Sequence, residues 1–172
     1  MFAYNAEMNT LSVRRLVLFS AATLAVVAVA LAQKSPQAPA QAKMPAMEIV
    51  VESKYGFEET VEKVKQAAEA EKYPVQGVHE ISAILESKGF PREPLTVVEV
   101  CNAKSASASL ENDIRVALMM PCPIAVYRED GKIKVMTFNT RQMAMMYKGA
   151  TMAQVGAEVD VALRKILFAV AK

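Results

Sequence analysis

Apolar residues recur along this chain in two rhythms, and the switches between them predict the elements. Ile49, Val50 and Val51 centre a strand over residues 47–54. From 57 to 71 the apolar positions Phe57, Val61, Val64 and Ala68 fall three or four apart, the stripe of a helix. Glu58, Glu59 and Glu62 occupy its first turns, where the helix dipole favours acids, and Pro74 stops it. Residues 75–80 form a short strand and 81–88 a short helix, with Gly89 placed to cap its C-terminus. A loop over 90–94 leads to a third strand at 95–100. That strand is apolar almost throughout, which predicts that both of its faces are covered. Small residues make a helix over 103–110, and 111–118 is a turn or a further helical segment. Residues 124–128 and 132–139 are two strands joined by Asp130-Gly131, a favoured hairpin turn. The second of them alternates polar and apolar residues, so it has one wet face. A methionine-rich connection over 141–149 precedes the last helix at 151–171. Its buried stripe is Val155, Val159, Leu163, Ile166, Leu167 and Val170.

The resulting order is β-α-β-α-β-α-β-β-α. It predicts an α+β fold, a mixed sheet of about five strands with helices packed on it and a long C-terminal helix. No internal repeat is visible.

The first 32 residues follow a different logic. Arg14 and Arg15 precede the uncharged run Leu16–Ala32, which ends in Ala30-Leu31-Ala32, small residues where a signal peptidase cuts. This is a secretory signal cleaved before Gln33, and it predicts a periplasmic or otherwise exported protein. The alternative is an uncleaved anchor in the inner membrane, since the run is barely long enough to span a bilayer. The paired arginines also fit the twin-arginine route loosely. Residues 33–46, rich in Pro, Ala and Gln, read as a flexible linker to a single domain at 47–172.

Composition narrows the function classes. Charged residues are 22% and hydrophobic residues 53%, which suits a packed core rather than disorder. A net charge of +2 without a basic cluster gives nucleic-acid binding no support. With one histidine, His79, sites that need two imidazoles are excluded within one subunit.

The candidate chemistry gathers between Leu95 and Tyr127, where both cysteines lie. Cys101 ends one strand and Cys122 precedes another. In an exported protein they could form a disulfide, whose loop of about 20 residues would contribute roughly 3 kcal/mol through the unfolded state. They could equally remain free thiols or serve a redox or metal site. Cys101, Cys122, His79 and Met120 together offer soft ligands suited to copper or a related ion. The eleven methionines include Met119, Met120, Met143, Met145 and Met146, although methionine is also an ordinary core filler. No Cys-x-x-Cys is present, so a thioredoxin-type pair is not supported. Glu99, inside an apolar strand, is a candidate proton-transfer group or a structural partner of Arg115 or Arg141. Asn102 either caps the helix after it or lines a pocket at the strand ends beside Cys101.

Several of these residues together resemble a known family. Glu99-Val100-Cys101-Asn102, then Ala106 and Leu110, then Leu118-x-x-Pro121-Cys122-x-x-x-Val126-Tyr127 and the Gly131 turn are similar to the domain of unknown function 302 family. His79-Glu80-Ile81 and Lys88-Gly89 fit the same pattern. The resemblance spans residues 47–172 and implies a small α+β domain that forms homodimers. It implies no particular activity. The family usually carries proline after the Asn, where this chain has Ala103, which would let the following helix begin earlier.

Three readings follow. The first is a dimeric binding module of the bacterial periplasm that holds a small ligand or soft metal ion near Cys101 and Cys122, with Glu99, Asn102 and His79 as further ligand-binding candidates. The second is a thiol-dependent redox or sulfur-related enzyme, with a cysteine as nucleophile and His79 or Glu99 as base. The third is a structural domain braced by a Cys101–Cys122 disulfide.

Overall fold

The structure, a computed structural model, describes residues 46–172. The signal or anchor expected at 1–32, and the linker expected at 33–46 except its last residue, lie outside the described residues. The elements are β1 (Glu48–Glu52), α1 (Phe57–Ala70), β2 (Val75–His79), α2 (Ile81–Glu86), β3 (Leu95–Val100), α3 (Ala103–Asn112), a 3-10 turn (Ile114–Met119), β4 (Cys122–Glu129), β5 (Lys132–Phe138), α4 (Thr140–Ala144) and α5 (Ala150–Phe168). The α+β class, the five strands and the long C-terminal helix are as the hydrophobic pattern predicts. The methionine-rich connection holds one more short helix, α4.

The sheet order is β1-β5-β4-β3-β2. Every pairing is antiparallel, where a mixed sheet was expected. The reason lies in the connections. α2, and α3 with the 3-10 turn, join adjacent strands that run in opposite directions. Only α1 crosses the sheet, from β1 at one edge to β2 at the other, and its two strands never pair. At the β4–β5 turn, Asp130 and Gly131 both adopt positive φ (52° and 72°), as a tight hairpin of matching twist requires.

Register sorts the side chains into two faces. Ile49, Thr137, Ile124 and Val98 form one row across four strands, and Val51, Val135, Val126 and Thr96 form the next. Val64 and Ala68 of α1 and Val159, Leu163, Ile166 and Leu167 of α5 pack on these rows and make the core. Leu163, Ile166 and Leu167 are fully buried, each worth about 1.5–3 kcal/mol. The opposite face carries the row His79, Val97, Ala125, Met136 and Val50. β3 therefore departs from the expectation of two covered faces. Thr96, Val98 and Val100 are buried, whereas Leu95, Val97 and Glu99 are only half-buried.

Two contacts place the elements around the site. α4 lies against α5 at Gly156, where a Cβ would collide with Ala144 Cβ and stand 2.9 Å from the Thr140 carbonyl oxygen. The Thr140 hydroxyl donates to the Gly156 carbonyl at 3.0 Å. At the other end of the chain, Lys54 N donates to Val170 O (3.1 Å) and Lys172 N to Glu52 O (3.0 Å), which stitches the C-terminus to β1.

Candidate binding site

β4 starts and β5 stops at the same end of the sheet, and the chain leaves a half-open recess there with a cavity volume of about 70 Å³. Cys122 is the first residue of β4 and pairs in register with Val100, so it faces the helix layer and forms the floor. Met119 and Met120 precede it. Met143 and Ala144 of α4 form one wall, and Met152, Val155 and Val159 of α5 form another. Gly156 sets the width, because a larger residue there would push α4 away. Four methionines on this lining give flexible, polarizable walls that adapt to the shape of an occupant. The Tyr147 hydroxyl donates to Met119 Sδ at 3.9 Å and ties the segment after α4 to the 3-10 turn.

Both thiols are free. Burial pushes Cys122 up to about 11, and the neighbouring Cys101 adds to the effect. Burial likewise raises Cys101. Tyr73, a core residue, stands beside both thiols, and burial raises it too, with the Ser105 hydroxyl working in the opposite direction. A cysteine nucleophile needs the opposite setting, a cation or helix N-terminus that favours the thiolate. The Cys122 thiol is suited to line a wall at neutral pH, while Cys101 stands beside it, directly before the α3 N-terminus and off the lining.

The other candidate residues divide between two places. Cys122 and Met120 line the recess, and Cys101 lies beside Cys122 at the same end of the sheet but off the lining. His79 and Glu99 face away from the helix layer and pair with each other, Nε2 to Oε2 at 3.2 Å. Glu99 does not pair with Arg115 or Arg141 as expected. Arg115 binds Asp113 two residues away, and Arg141 approaches Asp160. Register explains this, since Glu99 lies beside β2, whereas both arginines belong to segments beyond the sheet. Asn102 is a helix cap. Its Oδ1 accepts from Ser105 N at 3.0 Å, and its Nδ2 donates to Lys72 O at 2.9 Å. Among the described residues, no group of three or more His, Cys, Asp or Glu side chains is placed to hold a metal ion.

Two residues near the site were not anticipated. Tyr73 precedes Pro74 and looks like ordinary helix-end chain. Asp160 sits in the buried stripe of α5, where Arg164 Nε donates to its Oδ2 at 2.9 Å and Arg141 Nε stands 3.8 Å away. Its Oδ1 is buried and has no protein hydrogen-bond partner among the described residues. The four-residue spacing of Asp160 and Arg164 was the one sequence signal, and it reads as an ordinary surface pair.

Residues 49–170 match the family described as Domain of unknown function DUF302. The chain belongs to that family. The crystal structure of an uncharacterised conserved DUF302 protein from Bacillus stearothermophilus superposes with a TM-score of 0.69 at 23% identity, covering 73% of this chain and 99% of that one. At that identity the likeness speaks for the shared fold. No curated protein matches this chain. In this DUF302 domain Ala103 takes the first helical position, which proline would also accept, so the departure does not itself move the helix start. α3 begins at Ala103 itself, directly after the Asn102 cap.

Proposed function

We propose that this DUF302 domain is a binding module for a small apolar molecule, held in the methionine-lined recess against Cys122. The observation that carries the reading is the recess itself, an apolar hollow built into the end of a packed core. Small-ligand sites are concave and lined mostly by apolar side chains, and a cavity of about 70 Å³ limits the occupant to a few heavy atoms. The thiol-enzyme reading fits less well. Both thiols are held protonated by burial, and the imidazole that could serve as base pairs with Glu99 on the opposite sheet face. The reading includes export, from the tripartite pattern of residues 1–32, and a homodimer, as the family resemblance implies. The sheet face that carries Val97, Ala125 and Met136 offers a surface for that pairing.

A second occupant is favoured by one feature. Met119, Met120 and Met143 share the lining with Cys122, and thioethers beside a thiol suit a soft cation such as Cu(I).

The test is to produce the exported protein, purify it gently, and analyse one sample for organic-extractable compounds and for metals. The apolar-ligand reading predicts one compound per chain, displaced by a polarity-sensitive naphthalene dye. Val155→Phe, which fills the recess, should weaken dye binding about tenfold or more while leaving the circular dichroism unchanged. Dye binding that is absent, or unaffected by Val155→Phe, would sink the reading. A soft metal near one per chain would favour the second occupant.

A further inference from the structure

The walls of the recess are not held alike. On its floor Cys122 is paired with Val100 of β3. One wall is α5, whose apolar stripe belongs to the core. The wall made by α4 is different. Of residues 140–149, Ala144 alone is buried. The backbone amides of Gln142, Met143, Met145, Met146 and Tyr147 all donate to carbonyls of residues 139–144, so none of them ties the segment to the rest of the domain. A segment with one buried methyl group and self-contained backbone bonding opens at little cost while the core stays folded.

Side chains supply the ties, and they fall into two sets. Near the start, the Thr140 hydroxyl donates to Gly156 O at 3.0 Å, and Arg141 approaches Asp160 at 3.8 Å. Near the far end, Asn112 Nδ2 donates to Lys148 O at 3.3 Å, the Tyr147 hydroxyl donates to Met119 Sδ at 3.9 Å, and the Arg115 guanidinium lies over the Tyr147 ring at 5.9 Å. The far set is long and exposed to water. The two ends differ as well. Asn139 is pinned to β1, with its N donating to Met47 O (2.8 Å) and its Nδ2 to Ala46 O (3.2 Å). Gly149 has a φ of 110°, in a region that glycine crosses without strain.

We propose that residues 141–149 form a lid, which swings about Asn139 and Gly149 when the far ties to Asn112 and Met119 break, and which uncovers the Cys122 floor of the recess. The motion stands without a ligand, whereas its use in ligand entry rests on the reading of the recess as a binding site. The closed recess holds about 70 Å³, so anything beyond a few heavy atoms, a naphthalene dye included, enters only as this wall moves.

The experiment times the alkylation of Cys122 by N-ethylmaleimide at mildly alkaline pH. It uses the exported protein with Cys101→Ser, so that one thiol reports. The comparison adds Asn112→Ala and Tyr147→Phe, which remove both far hydrogen bonds and leave the recess lining untouched. The expected native rate is well below that of the urea-unfolded chain and roughly tenfold higher in the latch variant, the effect of two modest hydrogen bonds. It should depend only weakly on low urea, because a short segment exposes little surface. A native rate equal to that of the unfolded chain would mean that the recess stands open, and it overturns the lid. So does a rate with the full urea dependence of global unfolding, and so does an unchanged rate in the latch variant. Dye binding separates the two claims. Association that quickens in the latch variant supports ligand entry through the lid, and unchanged association refutes that use. Faster alkylation with no dye binding in either protein leaves the lid standing and refutes the binding-site reading.

Discussion

Burial holds the Cys122 thiol protonated up to about pH 11 in the folded chain, against an ordinary value of 9.0. A raised folded value means that the stabilising contribution is whole below about pH 9 and is lost as pH rises through about 11. The loss is on the order of 2 kcal/mol. Urea titrations at pH 7 and pH 10.5 should show this fall in the wild type and a smaller one in Cys122→Val. Equal falls would mean that the thiol does not titrate against the fold. Asp160 tests a different balance. Its carboxylate is buried with Arg164 held close, so Asp160→Ala should cost about 2 kcal/mol. Arg141 is exposed and 3.8 Å away, so Arg141→Ala should cost under about 0.5 kcal/mol. Thermal melts of the two variants would check the order.

α4 depends on what α5 lacks. Gly156→Ala would place a methyl group into Ala144 and the Thr140 carbonyl, at a cost of about 1–3 kcal/mol as α4 shifts. The recess wall would shift with it, so dye binding should change along with the melting temperature. Adding Ala144→Gly should recover part of both, and no recovery would place the strain elsewhere. None of this was legible in the sequence. A five-residue helix is too short to show a period, and a lone glycine inside a helical stripe gives no hint of its neighbour. The long elements were legible for the converse reason. α1 and α5 repeat their stripes over several turns, and Asp130-Gly131 names its own turn. The strand ends were readable enough to bring Cys101 and Cys122 together. His79 went astray because its distance from them is a matter of register, which the local pattern of β2 does not carry. Asp160 was hidden because its second arginine comes from another element. The recess was hidden because its lining comes from six separate elements.

At the scale of the whole molecule, one sheet separates two environments. The helix face holds the core and the recess, and the other face holds the His79–Glu99 pair. The closure of this layout is unusual in sequence distance. β1 finds its partner in β5, with Ile49 opposite Thr137, and the last residues then seal its end through Glu52 and Lys54. Removing residues 170–172 should therefore cost more than an ordinary trimmed tail, about 2–4 kcal/mol, because the fully buried Val170 goes with it. Denaturant melts of the truncated chain would show it, and a loss under about 1 kcal/mol would contradict the seal. The same arrangement sets a timetable. The first described strand waits for a partner made some ninety residues later, and its lock arrives only with residues 170–172. Such long-range pairing folds slowly. The sheet edge at β1 therefore cannot close until β5 and residues 170–172 have been made, and most of the domain is assembled before its lock.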